Sequence, residues 1–277
     1  STSLQSFVDS FEFSDTEGQQ MAWQDIKRDL GSDKPMDRVL SGDVGFGKTE
    51  IAIRASFVVS YSGKQVAVLV PTTVLSLQIY KEFQNRFIDF PQKVSLFCRL
   101  TSQKSRKKII KELSLGKIDI IIGTHSLLSP LIVFKSLGLV IVDEEHRFGV
   151  KQKQHIHDIS KKADYLMMSA TPIPRTLQLT SSGIKDVSII NSPPKKRLPI
   201  KTKVMYSDNL LISKIIRREL SRKGQVYIVY NNVNNIDIYC LKISSFVPEA
   251  RCSFIHGQES SSIIKNKLSL FVKKKID

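Results

Sequence analysis

The run Gly42-Asp43-Val44-Gly45-Phe46-Gly47-Lys48-Thr49 constrains the fold more than any other part of this sequence. It matches the pattern GxxxxGK[ST], with the apolar pair Val39-Leu40 before it and a helix-compatible stretch, Lys48 to Tyr61, behind it. Glycines at these positions let a strand-to-helix loop turn so that backbone N–H groups face phosphate oxygens. The lysine adds positive charge, and the hydroxyl that follows it can hold Mg2+. Gly42, Asp43, Val44, Gly45, Phe46, Gly47, Lys48 and Thr49 are therefore candidate ATP-binding residues, Lys48 is also a catalytic candidate, and Thr49 is a candidate metal ligand. A chain organised around such a loop is expected to be α/β, with its ligand beyond the carboxyl ends of parallel strands.

The rest of the first two hundred residues agrees with that expectation. Val66–Val70 before Pro71, Ile118–Ile122 before Gly123 and Leu139–Val142 before Asp143 are short continuous apolar runs, the signature of strands covered on both faces by helices. Residues 191–199, with two adjacent prolines and three adjacent basic residues, interrupt the alternation and read as a linker. A second series is then expected. It has strands near Lys201–Met205, Gln225–Tyr230 and ending at Ile255, and helices around Leu210–Arg222, Val233–Ser244 and Ser260–Lys275. The expected division is residues 1–192 as a first lobe, 193–199 as linker and 200–277 as part of a second lobe.

One of the apolar runs ends in acids, Asp143-Glu144-Glu145, followed by His146. Placed at a strand end beside the phosphate loop, Asp143 is a candidate Mg2+ ligand. Glu144 is a candidate for orienting or deprotonating the attacking water, work that needs a carboxylate within hydrogen-bond reach.

Composition narrows the partner. A net charge of +16 favours a polyanion, with nucleic acid foremost, because lysine and arginine release condensed counterions when they meet phosphates. The three cysteines form no CxxC pair, which argues against zinc and fits a reducing, cytoplasmic setting. No stretch of about 18 apolar residues is present, so a membrane role is not expected.

Three segments together resemble motifs I, II and III of superfamily 2 helicases: Gly42 to Glu50, Asp143 to Val150, and Ala170-Thr171-Pro172-Ile173-Pro174-Arg175-Thr176-Leu177. Within that superfamily they are most similar to the bacterial transcription-repair coupling factors. RecG-type branched-DNA helicases are similar too but usually differ where Phe46 and Glu145 stand. The resemblance implies a RecA-like parallel sheet lobe with helices on both faces, followed by an incomplete second RecA-like lobe. It also implies an ATP-driven motor on double-stranded DNA that displaces stalled RNA polymerase and recruits excision repair through the protein UvrA.

Further roles follow from the resemblance alone. Phe13 and Gln19 sit where the family holds adenine, by stacking and by amide hydrogen bonds, although Gln19 also completes a capping box with Thr16. Thr72 and Thr73 match motif Ia, and Gly123, Thr124 and His125 match motif Ib, both of which contact the DNA backbone; the threonines fit helix capping equally well. Arg99 falls where the family has a DNA-proximal Ser-Arg-Phe element, but its neighbours here are Cys98 and Leu100. Ser169 and Thr171 belong to motif III, which links the ATP and DNA sites, and His146 would couple Glu144 to it. In these 277 residues the family's motifs V and VI, its damage-recognition region and its polymerase-gripping module have no counterpart. Impaired turnover is therefore expected, or at the extreme a nucleotide-dependent DNA-binding remnant.

Overall fold

The computed structural model describes residues 2–170, 185–194 and 200–277. The chain divides into two compact units, Ser1–Leu198 and Pro199–Asp277.

The first unit is built on one seven-stranded sheet. Its strands are β1 (Asp37–Gly42), β2 (Gln65–Leu69), β3 (Val94–Phe97), β4 (Ile120–Gly123), β5 (Leu137–Asp143), β6 (Asp164–Ser169) and β7 (Asp186–Ile190). They lie in the order β3-β4-β2-β5-β6-β1-β7, and every pairing is parallel. Helices α1 (Thr2–Asp9), α2 (Glu17–Leu30), α3 (Lys48–Tyr61), α4 (Thr73–Arg86), α5 (Gln103–Ser114) and α6 (Val150–Ser160) flank it.

The apolar runs explain this two-sided arrangement. In β2 and the residue after it, Val66, Val68 and Val70 enter one core with Phe7, Ile26, Ile51, Phe57 and Phe83, while Ala67 and Leu69 enter a second core with Leu113, Phe148 and Ile156. Successive side chains point to opposite faces. A strand buried on both faces is therefore apolar wherever no hydrogen-bond partner is at hand; β2 is buried throughout, and its one polar residue, Gln65, bonds to the Leu113 and Ile118 carbonyls and the Lys135 N–H. This is the RecA-like parallel lobe that the resemblance implied.

Order along the sheet decides what can meet. Parallel strands all end on the same edge, and β5, β6 and β1 are neighbours there, with Asp143 opposite Met168 and Ser41 opposite Ser169. On the other side of β5, strands β2, β4 and β3 end together, with Leu69 opposite Gly123 and Gly123 opposite Phe97. The phosphate loop and the acids thus share one half of the edge, and the threonine-bearing segments share the other.

The second unit contains α7 (Asn209–Ser221), α8 (Ile236–Phe246) and α9 (Ser261–Val272), near the three expected helices. The three expected strands are a correction. Residues Lys201–Met205, Gln225–Tyr230 and the stretch ending at Ile255 form no strand. A strand requires a registered ladder, and Val204, Tyr206 and Val229 are almost fully exposed. Isolated bonds run from the Val226 N–H to the Asp277 carbonyl (2.9 Å) and from the Asp277 N–H to the Arg251 carbonyl (3.1 Å).

Candidate nucleotide site

The phosphate loop leaves β1 at Gly42 and enters α3 at Lys48. Gly45 and Gly47 take φ of 78° and 83°, a region that side-chain-bearing residues avoid, and this turns the loop back over the start of α3. Gly47 has a second constraint, because a Cβ there would overlap Nε2 of Gln19. That amide donates to the Phe46 carbonyl (2.8 Å), and its Oε1 accepts from the Thr16 N–H (2.8 Å). Gln19 therefore ties the start of α2 to the loop. It is buried, with its carbonyl and amino groups each holding one bond inside the protein. Phe13 is 59% exposed, and its ring lies 5.5 Å from that of Phe11 in a T-shaped contact.

Lys48 Nζ donates to the carbonyls of Gly42 (2.6 Å) and Asp43 (3.0 Å), so its charge lies inside the loop. Burial pushes this ammonium below the usual lysine range, against the attraction of Asp143, Glu144 and Asp43. Across the site, burial and the neighbouring Glu144 push the Asp143 carboxyl up to about 6, with Lys48 pulling the other way. Such opposed shifts in one cleft are characteristic of functional sites.

Glu144 is itself unusual. It holds φ 50° and ψ 54°, a left-handed conformation that is rare outside glycine. One carboxylate oxygen accepts from the Ala170 N–H (2.8 Å), and the other lies 3.2 Å from Nδ1 of His146. The end of β6 thus touches Glu144 directly through the Ala170 backbone, and His146 lies on the opposite side of the carboxylate. Ser169 is the buried last residue of β6, and Thr171 lies outside the described residues. Val44 at the loop's tip is exposed. Around these groups opens a cleft of about 1190 Å3 that also reaches Phe11, Phe13, Glu50, Arg86 and Arg147.

On the other half of the edge, Thr72 caps α4 by accepting from the Leu75 N–H (3.2 Å), and its residue is exposed; Thr73 is the first residue of that helix. Gly123 ends β4, where a Cβ would overlap the Phe97 carbonyl, so glycine is needed there for close approach. Thr124 is buried, its hydroxyl 3.2 Å from that of Ser126, and His125 is exposed. Arg99 is exposed on the loop after β3, shaped from behind by Arg106, which donates to the carbonyls of Cys98 and Thr101.

Sequence reasoning missed a buried ionic cluster next to the loop. Arg54 on α3 is 1% exposed, forms a two-pronged pair with Asp15 (2.6 and 2.9 Å), and donates through Nε to Glu50 (2.9 Å). Arg86 at the end of α4 donates to both Glu50 oxygens (3.0 and 2.8 Å). The four-residue spacing of Glu50 and Arg54 was readable as a helical pair, but nothing in it signalled burial.

The sequence signature of the DEAD/DEAH box helicases matches residues 16–180, more than half of the chain, and takes in the phosphate loop and the acids at the end of β5. The chain belongs to the DEAD/DEAH box helicase family. Within it, the chain is 44% identical over 271 residues to the transcription-repair-coupling factor of Bacillus subtilis, covering 98% of this chain and 23% of that protein. It is 48% identical over 254 residues to that of Escherichia coli, covering 92% and 22%. The chain thus spans less than a quarter of the length of these relatives. A structure of RecG bound to a three-way DNA junction superposes with a TM-score of 0.77 at 35% identity, covering 97% of this chain and 36% of RecG. Helicase-family membership carries nucleotide binding with it. Among the described residues no helix is long and apolar enough to cross a membrane.

Proposed function

We propose that this chain supplies the ATP-binding core of a double-stranded DNA translocase of the transcription-repair coupling type. The observation that carries the reading is the convergence of Lys48, after β1, with Asp143 and Glu144, at the end of β5, across the end of the intervening β6, with Glu144 in a left-handed conformation and bonded to the Ala170 N–H after β6. The relatives at 44% and 48% identity favour this type over the RecG type at 35%.

The site fits Mg2+ with a nucleotide triphosphate. Mg2+ takes few protein ligands and completes its shell with water and phosphate oxygens. The Asp143 carboxylate lies close enough to the loop's lysine for each to shift the other's protonation. Thr49 and Asp143 would hold the ion, which neutralises phosphate charge as the terminal phosphoryl group leaves. Lys48 and the loop N–H groups bind the phosphates. Glu144, fixed by the Ala170 N–H, orients the attacking water and accepts its proton. The threonine-bearing half of the edge serves as the track for a duplex backbone, and the net charge of +16 supports a polyanion.

In the intact relatives this motor would act on stalled RNA polymerase and recruit UvrA; we extend the ATP and DNA steps alone to these residues. An arginine finger adds about 10³ to 10⁵ to turnover in phosphoryl-transfer enzymes, and no residue of this sequence matches the motif that supplies it. Slow hydrolysis is therefore expected of the 277 residues by themselves. The test is steady-state ATPase with and without duplex DNA, run beside nucleotide binding. Mg·ATP binding that is lost in Lys48→Ala supports the reading, and equal affinity in a folded Lys48→Ala protein removes it.

A further inference from the structure

The segment that leads into α2 carries Phe13 and hangs on two guanidinium groups. Asp15 takes both terminal nitrogens of Arg54, at 2.6 and 2.9 Å. Arg86 donates to the Ser10 hydroxyl (2.7 Å) and to the Phe7 carbonyl (3.1 Å). Phe11 lies under both, its ring centroid 5.5 Å from the Arg54 guanidinium carbon and 5.4 Å from that of Arg86. Both arginines converge on Glu50, the residue after Thr49.

Two features mark this cluster as more than a surface ion pair. Its charges cancel, two arginines against two acids, and both Arg54 and Glu50 are buried. A buried ionic network with every partner present holds one geometry, whereas removing a single member leaves a charge without compensation. Its position is equally specific, since it joins residues 10–15, α3 and the end of α4, and its Glu50 and Arg86 line the same cleft as Phe13 and Lys48.

We infer that the Asp15–Arg54–Glu50–Arg86 network is a positioning device for nucleotide base recognition: it holds residues 10–15 at a set place relative to the phosphate loop, so that Phe13 meets the base of a nucleotide whose phosphates lie on Lys48. This rests on the nucleotide reading proposed above. Phosphate binding draws on Lys48 and the loop's own N–H groups, which Asp15 does not touch. Loss of Asp15 therefore separates the two ends of the ligand. Contacts to the base weaken, and contacts to the phosphates persist.

The experiment measures dissociation constants of the full chain for Mg·ATP and for Mg·tripolyphosphate, which has the phosphates without the nucleoside. In Asp15→Asn the affinity for ATP should fall about tenfold while that for tripolyphosphate stays within about twofold. Arg86→Lys keeps a charge at Glu50 but loses the fixed fork to Ser10 and Phe7; it should show the same split and decides the matter if Asp15→Asn does not fold. An unchanged ratio of the two constants in folded variants, or a wild-type chain that binds tripolyphosphate as tightly as ATP, overturns the inference. A wild-type chain that binds neither ligand fails the nucleotide reading itself, and the inference falls with it.

Discussion

The two halves of the sheet edge are built from the same parallel strands yet differ in kind. At the ends of β1 and β5 the backbone is left-handed at Gly45, Gly47 and the non-glycine Glu144, charged groups are partly buried, and two of them are shifted in opposite directions. At the ends of β2, β3 and β4 the residues stand in relaxed conformations, and the Thr72 hydroxyl already serves as a helix cap. Strain and desolvation persist only where surrounding structure enforces them. The nucleotide half therefore declares its role through its own geometry. The other half would look much the same in a protein that never met DNA, and it depends on resemblance and net charge for its reading.

The largest effect that tests this contrast is on turnover. Glu144→Gln keeps the size of the side chain and an oxygen to accept from Ala170 but cannot take a proton. Hydrolysis should fall about 10² to 10⁴-fold in a phosphate-release assay, with ATP affinity little changed. Parallel losses of affinity and rate would assign Glu144 to binding instead.

Next comes Lys48→Ala, which removes the one cation held inside the loop. Mg·ATP affinity should drop at least about a hundredfold by equilibrium titration, near 3 kcal/mol. The thermal midpoint should stay close to wild type, since the bonds lost are two to exposed or partly exposed carbonyls.

On the other half, Thr72→Asp sharpens the comparison because aspartate caps a helix as well as threonine does. Stability should hold, while duplex affinity at low salt falls about tenfold through repulsion of a phosphate, and the loss should shrink as salt rises. Unchanged duplex binding would leave Thr72 a cap and nothing more.

The smallest effect is on stability and pH. The folded chain holds the Asp143 proton up to about 6, above the ordinary aspartate value of 3.8. The native state therefore binds more protons than the unfolded state between those values, so this group's contribution to stability declines as pH rises through that window. Asp143→Asn should raise the stability of the nucleotide-free chain at pH 8 by about 1 kcal/mol after allowance for solvent screening, read by denaturant unfolding, and should abolish the effect of Mg2+ on nucleotide affinity. In the wild type, Mg·ATP affinity should rise as pH rises through about 6, when the carboxylate forms.

What the sequence disclosed follows the same physical line. Lys48–Tyr61 was readable as a helix because a glycine-rich turn precedes it, and β2, β4 and β5 were readable because two-sided burial leaves their middles apolar, with Gln65 and Asp143 at the ends of β2 and β5. Strand β3 is half-buried and carries Ser95, and β7 begins with Asp186 and carries Ser188, so neither shows a continuous apolar run. In the second unit, residue types that favour extension misled, since preference for an extended chain does not create a partner for it. The Asp15–Arg54–Glu50–Arg86 cluster was illegible for another reason. Charged residues at helical spacing usually face water, and only the folding of α4 and the entry to α2 around α3 brings these four under cover.

Gly47 is held by two unrelated demands, its positive φ and the Gln19 amide that fills the space a side chain would need. Relieving one leaves the other in force. A shorter residue at 19 opens the space but not the dihedral, and it also frees the Phe46 carbonyl and the Thr16 N–H. The glycine at 47 and the amide at 19 are therefore one structural choice: a substitution at either position disturbs the same loop, and changing both together does not restore it, because the dihedral still demands glycine.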